Sequence, residues 1–198
     1  MQNHLIPDQS LQIPPVDLLG GGQVVAIVVG LENYQSRPEG KTLTKVDFAR
    51  NDAEAFAEAL KTIYPADRLS LTLLLDSEAT CASLKYDLAS AIKSLAPDDL
   101  FIFYYAGHGF HGAGGNRITA WDSNSFNVEG TTLLLRDVLT DQLAASSCER
   151  ALVFVDACAG GFTPLGRDVV TSMNPQELKE FLGAATYSAM FLSWVRLF

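Results

Sequence analysis

The chain has 198 residues, of which 48% are hydrophobic and 19% are charged, and its formal net charge is −9. This length suits one domain with a sizeable core, and the composition is that of a globular protein and not of a disordered one. The acidic balance argues against nucleic acid as the main partner, because phosphate contacts need clustered lysine and arginine. The same balance is compatible with basic peptides.

The three cysteines, Cys81, Cys148 and Cys158, make a poor disulfide framework and favour a reducing compartment. The N-terminal segment has no cationic start followed by an apolar run, so it does not resemble a secretory signal. No stretch reaches the roughly 18 apolar residues that a membrane helix needs. We therefore expect a cytoplasmic protein without a membrane partner.

The sequence divides into a short leader and one domain. Residues 1–22 hold three prolines and a run of three glycines, which indicates a leader or linker that is partly mobile. Residues 23–198 show no second domain boundary. Continuous apolar runs predict four long buried strands, at 23–30, 69–75, 100–106 and 150–157.

Apolar residues at helical spacing lie between these strands. They predict helices at 49–63, from Thr80 to before Pro97, and around 135–143. Other segments predict a short strand at 117–121, a helix at 174–183 and a last strand at 187–194. Strands that alternate with helices imply an α/β fold, in which a mostly parallel central sheet has helices on both faces.

Two predicted strands end in residues suited to chemistry. The third runs into YYAGHGFHG, which sets His108 between two glycines, and the fourth into VDACAGG, which sets Cys158 at the strand exit. Sites of parallel sheets lie beyond the C-terminal strand ends, so both residues lie at one edge, and an imidazole there can activate a thiol. The glycines would admit a substrate backbone, with the N–H groups of Gly109 and Cys158 as oxyanion donors.

These two motifs, separated by 158 − 108 = 50 residues, together resemble the caspase and metacaspase superfamily of cysteine peptidases. The resemblance covers about residues 23–195 and is nearest to bacterial metacaspase-like members. It implies a caspase-like three-layer sandwich and a thiol endopeptidase. By this resemblance Cys158 is the nucleophile and His108 is the general base and acid.

The resemblance also implies a pocket for a basic side chain. Asp156 stands where caspases carry glutamine, and Asp52 in RNDAEAF matches a second pocket carboxylate of metacaspases. Ser193 stands where the family has a pocket-wall serine. Carboxylates attract arginine or lysine and repel aspartate, so we expect cleavage after Arg or Lys. Arg37 and Arg50 keep open the alternative of a caspase-like peptidase that cleaves after aspartate.

The chain stops at WVRLF, whereas the family domain continues through a further helix and a sixth strand. It therefore resembles a large-subunit-like domain without the usual small-subunit part, which favours a small-subunit or homodimer partner. Two other functions stay open. One is a catalytically incomplete regulatory or binding module that needs a partner chain. The other is an unrelated α/β domain that binds a nucleotide or flavin at the same edge.

The sequence requires no cofactor, and its cysteines show no metal-ligand spacing. The resemblance alone leaves calcium dependence open, because some metacaspase-like enzymes need calcium, and the sequence has no EF-hand pattern.

Each candidate residue also has a structural alternative. Cys158 could be a small buried hydrophobe, and His108 could be a core histidine bonded to a carbonyl. Asp52 could be present only because the helix dipole favours an acidic residue in the first turn, and Asp156 could cap a turn. His111 could replace His108 as the base or be solvated. Asp122, Cys81 and Cys148 are assigned to structure.

Overall fold

The structure, a computed structural model, describes residues 21–37, 42–112, 114–158, 173 and 191–192. Most of the leader, the helix predicted at 174–183 and the pocket residue Ser193 lie outside the described residues. The side chain of Cys158 also lies outside them, although its backbone is described as the end of a strand.

Seven strands and four α-helices are present in the described part of the chain. The strands are β1 Val24–Gly30, β2 Leu69–Leu75, β3 Leu100–Gly112, β4 Gly115–Thr119, β5 Thr132–Leu134, β6 Arg150–Cys158 and β7 Phe191–Leu192. The helices are α1 Ala49–Ile63, α2 Cys81–Ser94, α3 Val128–Thr131 and α4 Asp141–Ala145. A 3₁₀ turn at Asp76–Glu78 follows β2, and a π-helical turn at Arg136–Thr140 precedes α4.

The central sheet is parallel and has the strand order β2-β1-β3-β6-β7. The second half of β3 leaves this sheet and pairs antiparallel with β4, which in turn pairs antiparallel with β5. The predicted mostly parallel sheet is therefore confirmed. The strand predicted at 117–121 is β4, displaced by two residues and joined to β3 as a hairpin.

Helices cover both faces of this sheet, as the alternating pattern predicted. On one face, Ala53 and Ala57 of α1 belong to a core cluster with Val24, Ala26 and Val28 of β1. On the other face, the buried residues of α2 belong to a second cluster with the opposite residues of β1 and β3: Leu84, Leu88, Ile92, Ile27, Val29, Phe101 and Phe103. The alternation of side chains along a strand explains why β1 serves both clusters. The predicted three-layer α/β class, with helices on both faces of a mostly parallel sheet, is confirmed.

Helix α2 is held at its N-terminus by two separate oxygen acceptors. Thr80 caps it, with Oγ1 accepting from the Ser83 N–H at 3.1 Å, as the sequence predicted. Asp122 Oδ1 accepts from the Cys81 N–H at 2.7 Å. The structural assignment of Asp122 is therefore confirmed. Cys81 and Cys148 are both buried free cysteines, which suits the structural role predicted for them.

Two predicted elements differ from the structure. The helix predicted around 135–143 is a π-helical turn followed by the short helix α4, so one extra residue enters the turn that carries Val138 and Leu139. Strand β3 was predicted to end at residue 106, with a glycine-rich loop beyond it, but it continues to Gly112. It continues because β4 supplies hairpin partners and Phe110 is buried in the core.

Candidate active site

Parallel pairing of β3 with β6 brings His108 and Cys158 together. Their Cα atoms are register partners at the last pair of this ladder, at the C-terminal edge of the sheet. Two pairs earlier, Asp156 is the register partner of Ala106. The sequence predicted that the two strands share an edge, and the structure shows that they are direct neighbours.

The His108 side chain is buried, and its contacts define the tautomer of the neutral ring. The residue is 2% exposed, and Nε2 lies 2.8 Å from the Thr44 carbonyl oxygen and 3.2 Å from Thr44 Oγ1. A carbonyl oxygen only accepts, so Nε2 carries the hydrogen and donates it. In the neutral imidazole, Nδ1 therefore carries the basic lone pair. A purely structural histidine could make the same bond, so the register partner Cys158 is what distinguishes this one.

Three buried hydroxyls hold the backbone of His108 on both sides. The His108 N–H donates to the Tyr34 hydroxyl at 3.0 Å, and the Tyr105 hydroxyl donates to the His108 carbonyl at 2.9 Å. Thr119 Oγ1 joins the two, at 2.9 Å from the Tyr34 hydroxyl and 3.0 Å from the Tyr105 hydroxyl. We refer to Tyr34, Thr119 and Tyr105 as the hydroxyl ring.

One direction of donation satisfies every member of the hydroxyl ring. Tyr34 donates to Thr119, Thr119 donates to Tyr105, and Tyr105 donates to the His108 carbonyl, so each hydroxyl donates once and accepts once. Buried hydrogen bonds linked in this way polarise one another. The Tyr34 ring also stacks on the imidazole, with centroids 5.2 Å apart and planes at 21°. The hydroxyl ring and this stacking thus fix His108 more firmly than strand pairing alone.

The glycines around His108 serve packing inside the protein. A Cβ on Gly107 would lie 2.6 Å from the Tyr105 hydroxyl oxygen, and a Cβ on Gly109 would lie 2.7 Å from Ala157 Cβ and from Met173 Sδ. These distances are too short for any side chain. The glycines therefore have a packing reason inside the protein, and the interpretation that they admit a substrate backbone stays a prediction. The oxyanion role of the Gly109 and Cys158 N–H groups stays a prediction.

Asp52 and Asp156 lie on one side of an aromatic cluster. Phe56 of α1 stacks on Tyr104 with centroids 4.4 Å apart and lies 5.2 Å from the Phe154 ring. Asp52 precedes Phe56 by one helical turn, and Asp156 follows Phe154 by two strand residues, so each carboxylate shares a face with its aromatic residue. Burial raises the pKa of the Tyr104 phenol, and the charges of Asp156 and Asp52 raise this pKa further. Both carboxylates therefore act on the same phenol.

The arginines that kept the aspartate-cleaving alternative open have other partners. Arg37 donates to Gln35 Oε1 at 2.7 Å and to the Asp122 carbonyl at 2.9 Å. Arg50 pairs with Glu54 at 3.1 Å and lies 3.9 Å from Asp76. These contacts do not test the aspartate-cleaving alternative, because the partners of Arg37 are neutral oxygens and the Arg50–Glu54 pair is partly exposed.

His111 does not take the place of His108. It lies three residues further along β3, so the alternation of the strand places it on the opposite face. Its Nδ1 lies 3.2 Å from Asn116 Oδ1 and the residue is half-buried, and its solvation stays a prediction. Within the described residues, no group of three His, Cys, Asp or Glu side chains could hold a metal ion, and none of the helices is long and apolar enough to cross a membrane.

Sequence reasoning missed the residues that support His108. Thr44 acts through its carbonyl, which any residue type would supply, and no motif marks Tyr34 or Thr119. The one usable signal was Tyr105 in FYYAGHG, because a tyrosine in a wholly buried strand needs a partner for its hydroxyl.

Comparison with known proteins establishes the class of the chain. The caspase domain of peptidase family C14 matches residues 23–190. The chain therefore belongs to the caspase domain family, which is a family of cysteine peptidases. A search of curated proteins finds no match.

One solved structure with a TM-score above 0.5 shares the fold at low sequence identity. Protein GSU0716 from Geobacter sulfurreducens is 23% identical with a TM-score of 0.55, over 69% of this chain and 50% of that chain. Pro-sf-caspase-1 is 16% identical with a TM-score of 0.46, over 78% of this chain and 57% of that chain. The chain thus spans about half the length of these two solved structures.

Proposed function

We propose that the chain is a cysteine endopeptidase that hydrolyses peptide bonds after arginine or lysine, with Cys158 as nucleophile and His108 as general base and acid. One observation carries this proposal: His108 and Cys158 are register partners at the C-terminal edge of a parallel sheet. Membership of a cysteine peptidase family supports it.

The tautomer of His108 defines the proposed proton path. Nδ1 takes the proton of the Cys158 thiol, and the thiolate attacks the carbonyl carbon of the substrate. The same nitrogen then gives its proton to the leaving amine as the C–N bond breaks, which leaves a thioester on Cys158. Water attacks the thioester while His108 takes a proton from it, and the C–S bond then breaks. The Cys158 thiolate regains the proton from His108, and the peptide leaves with a new carboxyl group.

The contacts of His108 support this role. The Thr44 carbonyl accepts the Nε2 hydrogen and stabilises the imidazolium that forms when Nδ1 is protonated. The hydroxyl ring holds the backbone of the residue, so the imidazole keeps its place while it passes protons. The N–H groups of Gly109 and Cys158 are the proposed donors to the negatively charged oxygen of the intermediate.

Two carboxylates above an aromatic cluster support a pocket for a basic side chain. An arginine or lysine would place its charged end between Asp52 and Asp156 and its aliphatic stem against the rings of Tyr104 and Phe56. Ser193 is a further proposed wall residue by family resemblance. A reduced thiol nucleophile also suits the reducing cytoplasm.

Asp156→Asn tests the pocket separately from the nucleophile. We expect kcat/KM for peptides ending in arginine to fall roughly 30-fold, about 2 kcal/mol for the lost charge pairing. Alkylation of Cys158 by iodoacetamide should stay within about twofold of wild type. Asp67→Asn, the same change at an exposed position, serves as the control. Equal losses of turnover and alkylation would mean that Asp156 only supports the nucleophile.

The same assay distinguishes the proposed peptidase from a module that needs a partner chain. Peptides ending in arginine, lysine and aspartate should be compared with and without calcium. A reactive Cys158 without turnover of any peptide would favour the incomplete module. Turnover after aspartate alone would retain the two catalytic residues and contradict the acidic pocket.

A further inference from the structure

Phe48 combines two unfavourable features. It precedes α1 in a left-handed conformation, with φ 71° and ψ −4°, and its side chain is 62% exposed. A bulky residue rarely adopts this conformation, because its Cβ crowds the backbone, whereas glycine adopts it without strain. An exposed aromatic side chain also forgoes the stabilisation of burial. The Phe48 backbone begins α1, because its carbonyl accepts from the Asp52 N–H at 2.9 Å, but the exposed aromatic ring adds no burial to the fold.

The other strained residue has a structural reason. Among the described residues, only Phe48 and Asp76 are non-glycine residues with positive φ. Asp76 accepts from the Glu32 and Asn33 N–H groups, each at 2.9 Å, and these hydrogen bonds offset the cost of its left-handed conformation. Phe48 stands at the N-cap of α1, and its hydrocarbon side chain cannot supply a capping hydrogen bond. Residues held in strained conformations concentrate at functional sites.

Phe48 lies between the two parts of the proposed site. Thr44, four residues earlier, holds His108, and Asp52, four residues later, belongs to the proposed pocket. The Val46 N–H donates to the Glu32 carbonyl at 3.0 Å, and Lys45 pairs with Glu32 at 3.0 Å, so neighbouring residues anchor the segment. The anchors do not involve the Phe48 side chain.

We propose that Phe48 is a specificity-determining residue that contacts an apolar side chain of the peptide near the basic residue at the cut site. This inference rests on the proposed function. Four helical residues rise about 6 Å, and an extended peptide advances about 3.3 Å per residue. The apolar side chain would thus lie one or two positions from the arginine or lysine that faces Asp52.

Two substitutions separate the side chain from the backbone. Phe48→Gly and Phe48→Asn both remove the aromatic ring, and both residue types accept the left-handed conformation. Because the ring is mostly exposed, we expect each variant to raise Tm, by about 2–4 °C for glycine. A Tm at or above the wild-type value would show that the fold tolerates the change. Any loss of peptide binding would then report on the aromatic ring of Phe48.

The test compares fluorogenic peptides that differ only beside the terminal arginine. We expect KM for peptides with leucine one or two positions before the arginine to rise about tenfold in both variants, and KM for the matching glycine peptides to stay within twofold. Tyr86→Ala, which removes a 73% exposed aromatic residue from α2, should leave both KM values unchanged.

Each outcome bears on a defined claim. Unchanged KM ratios between leucine and glycine peptides, with normal turnover of arginine peptides, overturn the role of Phe48 and leave the proposed function standing. A lower Tm in both variants also overturns it, because Phe48 would then serve the fold. Absence of arginine or lysine turnover by the wild-type chain overturns the proposed function and this inference with it.

Discussion

Substitution of Thr119 by valine tests the hydroxyl ring that holds His108. The change removes one hydroxyl and keeps the shape of the side chain, which is fully buried. The Tyr34 hydroxyl, 2.9 Å away, loses Thr119 as its acceptor, and the Tyr105 hydroxyl, 3.0 Å away, loses its donor. The perturbation is therefore confined to hydrogen bonding.

The expected magnitude follows from the buried groups that lose a partner. Leaving one buried polar group unsatisfied costs about 1–3 kcal/mol, and we expect a loss of about 2 kcal/mol in the free energy of unfolding. For a chain of this size, that loss lowers Tm by roughly 4–8 °C. Because the hydroxyl ring positions His108, kcat of the proposed peptidase should fall in the Thr119→Val variant.

Urea denaturation followed by circular dichroism measures this loss, and Thr62→Val is the matched control. Thr62 Oγ1 donates to the Glu58 carbonyl at 3.0 Å on the exposed side of α1, so valine there should change stability by less than about 0.5 kcal/mol. Equal midpoints for Thr119→Val and Thr62→Val would refute the argument that the ring is a buried, mutually dependent network.

Two further predictions concern stability. Burial raises the pKa of Tyr105 well above its ordinary value of about 10, so the native state keeps this phenol protonated while the unfolded chain ionises. The stabilising effect of this buried phenol is complete below pH 10. It is lost as pH rises further, by about 1.4 kcal/mol per pH unit. Urea midpoints that stay constant from pH 9 to 11 would contradict this prediction. Asp122→Ala removes the acceptor of the Cys81 N–H and should lower stability by about 1 kcal/mol in the same assay, whereas exposed Asp67→Ala should not.

The sequence predicted the features that depend on local pattern. Apolar runs predicted the central strands, and helical spacing predicted α1 from Ala49 to Ile63 at the observed bounds. The two motifs GHG and DACAGG predicted that His108 and Cys158 meet at one edge, because parallel strands bring their C-terminal ends together. These features need only the periodicity of the chain and the usual geometry of an α/β sheet.

The features that the sequence did not predict depend on distant segments. The continuation of β3 through GHGFHG requires β4 as a partner, and a glycine-rich run gives no local sign of pairing. The hydroxyl ring joins Tyr34, Tyr105 and Thr119 from three separate segments, so no spacing reveals it. The support of His108 by the Thr44 carbonyl could not be predicted from sequence for a different reason, since every residue carries a carbonyl group.

The central claim is that Cys158 and His108 cleave peptide bonds after basic residues. Release of a fluorophore from peptides ending in arginine or lysine tests it most directly, with the wild-type chain beside Cys158→Ala. Cys81→Ala is the matched control, because that thiol is buried and its burial raises its pKa. We predict turnover by the wild type and by Cys81→Ala, and none by Cys158→Ala. Turnover that persists in Cys158→Ala would contradict the mechanism.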